Sequence, residues 1–161
     1  MKLALYIAFH NKSSIDCCKE IIDIIPESED LIIDSKLENE LNNQKLSFFD
    51  SSRKIDFDVD FVFAVGGDGT ILRCITYVKD SNIPILGINT GRLGFLTSIQ
   101  KEKIKEALSL LIKKEFSIIE RTIIKVNSNS SNNPFSEYPY ALNEVTIQRK
   151  DTTSLLNISC Q

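Results

Sequence analysis

Apolar residues run unbroken over Leu3–Phe9 (LALYIAF), the pattern of a strand covered on both faces in a parallel sheet. They then recur at helical spacing, at Ile15, Cys18, Ile21, Ile22 and Ile25, behind a cap at Ser13 or Ser14, until Pro26 stops the helix. Leu31–Ile33 predicts a second short strand. The stretch from Asp34 to Asp60 is polar; within it Leu37 to Leu46 predicts a helix and Ser47 to Lys54 a loop. Phe61–Val65 (FVFAV) is another buried strand and runs directly into Gly66-Gly67-Asp68-Gly69-Thr70. Ile71, Leu72, Ile75 and Val78 then mark a helix from Ile71 to Lys79. Asn82 and Pro84 punctuate the chain around the strand Ile83–Ile88, and Asn89–Gly94 is a glycine-bearing loop. Lys101–Lys114 is an amphipathic helix with Ile104, Leu108, Leu111 and Ile112 on its buried stripe.

This alternation of strand, loop and helix predicts an α/β domain over residues 1–120, a mostly parallel sheet flanked by helices. After Glu120 the rhythm changes. Thr122–Val126, Ala141–Gln148 and Leu155–Ser159 read as strands with no helix between them, and the Ser-, Asn- and Pro-rich Asn127–Pro139 reads as a loop. Residues 121–161 are therefore expected to be the first strands of an all-β second domain, too few to close a sandwich or barrel. The expectation is a chain that is a portion of a longer protein, or one completed by another chain.

Composition narrows the chemistry. The 161 residues are 42% hydrophobic and 25% charged, as in an ordinary soluble globular protein. A net charge of −3 supplies no basic field for nucleic acid or anionic lipid. No apolar run approaches the roughly 18 residues of a membrane span, so neither nucleic acid nor membrane is an expected partner. Cys17, Cys18, Cys74 and Cys160 contain no C-x-x-C pair and fit a reduced, cytoplasmic protein. His10 is the only imidazole. A Cys/His zinc site would need that ring plus scattered thiols, and a Ser-His-Asp mechanism would need it plus a G-x-S-x-G elbow that the chain lacks. Catalysis is expected to rest on carboxylates and backbone, and no residue is assigned as a resident metal's ligand.

Ligands of parallel α/β sheets sit outside the carboxyl ends of strands, where Gly66-Gly67-Asp68-Gly69-Thr70 falls. Glycines let the backbone approach a ligand closely, and the N–H groups opening the next helix can face phosphate oxygens. No Gly-Lys-Ser/Thr follows and the G-x-G-x-x-G spacing is absent, so this is neither a Walker A loop nor a dinucleotide fingerprint. A carboxylate among phosphate-binding amides repels phosphate unless it has another duty. Asp68 is therefore expected to accept a proton from an attacking hydroxyl or to help hold a divalent cation, both of which point to phosphoryl transfer. An Asp-Gly tight turn is the plainer reading, and the strand before it and helix after it weigh against that. Arg73, in the first turn of that helix, is equally a partner for phosphate or carboxylate and a solvated helical arginine. The loop Asn89–Gly94 follows the neighbouring strand, and two loops at adjacent strand ends build a cleft. Asn143-Glu144 interrupts an apolar run and reads either as a pair hydrogen-bonding a ribose or base, or as an exposed edge-strand pair.

Taken together, GGDGT at Gly66–Thr70 followed by ILR, GINTGRLGFLT at Gly87–Thr97 and NEVTIQR at Asn143–Arg149 resemble the bacterial NAD kinase family in order and spacing, over Phe61 to Gln161. GGDGT alone also occurs in diacylglycerol and sphingosine kinases; the second motif separates the families. The resemblance implies transfer of the γ-phosphoryl of ATP to the 2′-hydroxyl of the adenosine ribose of NAD, giving NADP. It implies that Asp68 is the general base, that Gly69 and its glycine neighbours form the phosphate loop, and that Asn143 and Glu144 contact NAD, with Arg73 placed to face it. It further implies a divalent cation, most often Mg²⁺, to offset the triphosphate charge, and a homo-oligomer. The family's chains continue through the rest of a β domain, so little activity is expected of residues 1–161 alone. A lipid kinase of the GGDGT type and a non-catalytic nucleotide-binding module are the alternative expectations.

Overall fold

A six-stranded, wholly parallel sheet frames residues Met1–Arg121. The computed structural model describes residues 1–41, 46–51, 58–92, 94–129, 131–133, 135–136, 138–149, 155 and 157–158. The strands are β1 (Lys2–Ile7), β2 (Asp30–Asp34), β3 (Ser47–Phe49), β4 (Phe61–Gly66), β5 (Ile85–Asn89) and β6 (Ile99–Gln100), in the order β3-β2-β1-β4-β5-β6. β1 and β4 lie at the centre, paired from Leu3↔Phe61 to Ile7↔Val65, and both are buried along almost their whole length. That is why their sequences are continuous apolar runs rather than alternating ones.

Successive side chains of a strand point to opposite faces, and each face has its own helices. Leu3, Leu5, Ile7, Phe63, Val65 and Ile88 join one buried cluster with Cys17, Cys18 and Ile21 of α1 (Lys12–Ile24) and Ile104, Leu108 and Leu111 of α4 (Ile104–Ile112). On the other face, Tyr6 and Phe49 stack on Tyr77 of α3 (Asp68–Val78), with ring centroids 5.7 and 5.5 Å apart. The remaining α2 (Glu38–Leu41) is a single turn continuing the 3₁₀ turn Ser35–Leu37.

Several boundaries differ from the sequence expectation. The cap of α1 is Asn11, whose side chain accepts the Ser14 N–H at 3.0 Å, rather than Ser13 or Ser14. Ser13 instead donates its hydroxyl to the Thr90 carbonyl at 2.8 Å. Ser47–Phe49, expected to be loop, is a short edge strand held by its register with Ile32–Asp34. Three residues are too few to show an alternation. The helix expected over Leu37 to Leu46 is the 3₁₀ turn plus α2; residues 42–45, and 52–54 of the expected loop, lie outside the described residues. Helix α3 begins at Asp68, three residues earlier than expected, because the glycines do not prevent the first helical turn from closing. The β6 strand, unmarked in the sequence, adds to the sheet through Ile88↔Ile99 and Asn89↔Gln100.

Residues Thr122–Gln161 form a second unit. Its small sheet pairs β7 (Ile124–Lys125) with β8 (Tyr140–Ala141) antiparallel, and the Lys125 ammonium lies 5.5 Å from the Tyr140 ring centroid. The expected strands Thr122–Val126 and Ala141–Gln148 are thus realised only where they pair. Residues 142–149 carry no ladder, and Asn143 and Glu144 follow a strand rather than interrupting one. Of the expected strand Leu155–Ser159, only 155, 157 and 158 are described, none in a strand. A β-prone run without a neighbouring ladder has little to hold it extended. The parallel sheet flanked by helices is the fold class read from the sequence, and a two-stranded antiparallel sheet comes after it in the chain. Among the described residues no helix is long and apolar enough to cross a membrane.

Candidate active site

The strand order reverses direction at the centre of the sheet: from β1 the chain proceeds outward to β2 and β3, and from β4 outward to β5 and β6. Such a switch point opens a crevice between the loops leaving the two central strands. Here those loops are the turn after β1, with Phe9, His10 and Asn11, and Gly66-Gly67-Asp68 after β4.

Gly66 ends β4 at φ +154°, and a Cβ there would collide with the buried Thr70 side chain, so the strand can feed the helix so abruptly only with glycine. Gly67 caps α3 with no side chain of its own and nothing within 4 Å of where one would be. The amides that open this eleven-residue helix are of the kind that suits phosphate, and of them the Thr70 N–H already donates to the Gly67 carbonyl at 2.9 Å. Gly69 lies in that first turn, exposed, with the Phe9 ring 3.8 Å from the position of a Cβ.

Asp68 is the junction of the site. Its Oδ2 accepts the Phe95 N–H at 2.7 Å, and its Oδ1 accepts the Leu96 and Thr97 N–H groups at 3.0 and 3.2 Å. The Phe95 N–H above all, then those of Leu96 and Thr97, hold this carboxyl below the ordinary carboxylate range against the opposing effect of partial burial. A carboxylate offers about four acceptor positions, so three amides leave one, on Oδ2. The loop Asn89–Gly94 and the carboxylate are thereby brought together, as two loops at adjacent strand ends should be; Leu93 lies outside the described residues.

Arg73 sits in the second turn of α3, not the first, because the helix starts early. Its guanidinium lies 4.7 Å from the centroid of the Phe9 ring, which is itself about half exposed. Neither the Phe9 stack nor the contacts of Phe95–Thr97 with Asp68 was apparent from sequence. The glycine of Leu93-Gly94-Phe95 was the one available sign of a close approach. Asn143 and Glu144 belong to the second unit, directly after β8, and both are exposed.

The described thiols and the imidazole are held elsewhere. Burial pushes the Cys17 thiol up to about 12 and raises those of Cys18 and Cys74 as well, which leaves them protonated and inert. His10 pairs with Glu40 at 3.4 Å. Among the described residues no group of three or more His, Cys, Asp or Glu side chains could hold a metal ion.

Known proteins with this pattern are consistent in kind. Residues 17–116 match the ATP-NAD kinase N-terminal domain. A NAD kinase of Flavobacterium johnsoniae is 35% identical over 164 aligned residues, covering 98% of this chain and 56% of that protein. One of Methanothermobacter thermautotrophicus is 31% identical over 159 residues, covering 98% and 53%. The crystal structure of yeast NADH kinase complexed with NADH superposes with a TM-score of 0.68 at 20% identity, covering 82% of this chain and 44% of that one, a likeness of fold. The chain spans about half the length of the curated relatives it matches.

Proposed function

The chain belongs to the NAD kinase family, and from that premise we propose that it takes part in transferring the γ-phosphoryl of ATP to the 2′-hydroxyl of the adenosine ribose of NAD, with Asp68 as proton acceptor. The observation that carries this reading is the Asp68 carboxylate itself: three amides fix it, and Oδ2 retains one acceptor position. A hydroxyl donating to that position would have its oxygen oriented for in-line attack. Held below the ordinary range, the carboxylate stays ionised and is a weak base. Proton transfer then belongs late in the reaction, when the forming bond to phosphorus has made the hydroxyl acidic.

Gly67, Gly69 and the amides of the first turn of α3 are the proposed phosphate contacts, and Arg73, stacked on Phe9, the proposed cation facing NAD. Asn143 and Glu144 are proposed to hydrogen-bond NAD from the second unit. The described residues do not form a cage for a resident cation, so Mg²⁺ is proposed to arrive on the triphosphate as part of the substrate. A homo-oligomer in the cytoplasm completes the reading; the free, buried thiols fit a reducing compartment, and light scattering on the eluting protein tests the assembly.

The direct test supplies protein with ATP, Mg²⁺ and NAD and follows NADP with an NADP-specific dehydrogenase. Turnover should fall by about 10² to 10⁴ in Asp68→Asn, the usual worth of a positioned general base. The protein carrying the complete β domain is run alongside residues 1–161. Silence from both sinks the assignment.

A further inference from the structure

Three successive N–H groups reach one carboxylate, and the side chain of Asn89 bonds residues on either side of them in sequence or among them, at Gly91, Arg92 and Thr97. Asn89 ends β5 and is 3% exposed. Its Nδ2 donates to the Arg92 carbonyl at 2.8 Å and to Thr97 Oγ1 at 3.0 Å, and its Oδ1 accepts the Gly91 N–H at 2.7 Å. A carbonyl on one side and an N–H on the other fix which way the amide points. Both ends of the loop are thus tied to a single buried group, and Thr97, bonded through its hydroxyl, passes its own N–H to Asp68 Oδ1. At Gly94 the backbone passes so close that a Cβ would overlap Oδ1, Cγ and Oδ2 of Asp68.

We propose that Asn89 and Gly94 are positioning residues for Asp68: the Asn89 amide folds the loop so that the Phe95, Leu96 and Thr97 N–H groups meet the carboxylate, and Gly94 leaves the carboxylate room to be met. Its catalytic meaning rests on the proposed role of Asp68, but the latch itself does not. Of the charged groups on the surrounding elements, Arg73 of α3 lies over Phe9 and His10 of the β1–α1 turn pairs with Glu40, while Arg92 of the loop meets Asn89 through its backbone carbonyl. None of them is among the causes that shift Asp68: the three amides lower it, Phe95 most, against burial, which raises it.

The test is a carboxyl-carbon NMR titration of Asp68, with hydrogen exchange of the Phe95, Leu96 and Thr97 amides read on the same samples. Parent protein should titrate below the ordinary carboxylate value with the amides protected. Gly94→Ala and Asn89→Ala should both move the titration upward and release the amides. Thr97→Val, which keeps the shape and removes the oxygen that Asn89 holds, should do so in part, while Thr97→Ser should behave as the parent. Gly94→Ala changes a half-buried loop position outside the core and keeps the test decisive if Asn89→Ala does not fold. An unmoved Asp68 in a folded Gly94→Ala protein overturns the proposal. Because neither readout needs turnover, these shifts seen while both residues 1–161 and the protein carrying the complete β domain make no NADP would refute the kinase reading and leave the latch intact.

Discussion

The carboxylate of Asp68 occupies the space that a side chain at Gly94 would need. The two residues come from loops after β4 and β5, which pair in parallel up to Gly66↔Asn89, so the contact is a direct consequence of strand adjacency. A methyl group at Gly94 must push the carboxylate or the loop aside, and a shift of about 1 Å at a reacting group can cost about 10²-fold in rate. Gly94→Ala in the active protein is expected to lower kcat by that order while leaving the Kd for ATP little changed. Equal kcat in the two proteins would show that the contact does not matter to catalysis.

The parts of this site that sequence reveals are those governed by neighbours along the chain. The apolar runs at Leu3–Phe9 and Phe61–Val65, the glycines after β4 and the stripe of α4 are all local patterns, and each falls within a few residues of its observed place, except that Ile112, expected on the buried stripe, ends α4 exposed. What was not legible depends on contacts across the fold. Ser47–Phe49 is a strand because Ile32–Asp34 lies beside it. Asn89 is a hub because Arg92 and Thr97 fold back to it, and nothing in its own surroundings distinguishes it from a turn residue. Asp68 could be picked out as chemically odd among glycines, yet the amides that hold it lie 27 to 29 residues away.

Phe9 and Arg73 give a second prediction. The guanidinium lies over the ring, 4.7 Å from its centroid, a contact that favours one orientation of the arginine. A cation over an aromatic face is worth about 0.5–1 kcal/mol at an exposed site, which is about 2- to 5-fold in an equilibrium constant. Phe9→Leu should raise the Kd for NAD by that factor through loss of this pre-orientation, and Arg73→Ala should raise it further. Calorimetric titration of each variant with NAD reads the effect, and identical affinities across the three proteins would remove Arg73 from the site.

Asn11 and Ser13 separate helix capping from loop tethering. Asn11 satisfies the Ser14 N–H, and losing such a cap costs about 1 kcal/mol. Ser13 makes an exposed bond to the Thr90 carbonyl, and removing it should change stability by no more than about 0.5 kcal/mol. Urea unfolding followed by far-ultraviolet circular dichroism should therefore rank Asn11→Ala well below Ser13→Ala. The reverse ranking would restore the serine as the cap.

Asp34 gives a pH signature with a defined sign. It ends β2 fully buried, accepting from the Ile7 and Lys36 backbone N–H groups, with the Lys36 ammonium 3.5 Å away. Burial raises its carboxyl above the ordinary 3.8, and Lys36, Ser51 and the two backbone N–H groups only partly offset that. A carboxyl raised in the folded state holds its proton more tightly there than in the unfolded chain. Its contribution to stability is therefore fully present below 3.8 and is lost as pH rises through the folded value. Asp34→Asn cannot ionise, so the stability of the variant minus that of the parent should increase with pH from 3.8 upward and then level off. Asp68, held low, has the opposite dependence, with stability lost as pH falls through its folded value, but it is common to both proteins and cancels from the difference. Urea midpoints of parent and variant compared between acid and neutral pH measure that difference directly. A difference that stays flat or shrinks as pH rises would mean that Lys36 and the amides compensate Asp34 fully, and that burial does not govern its charge.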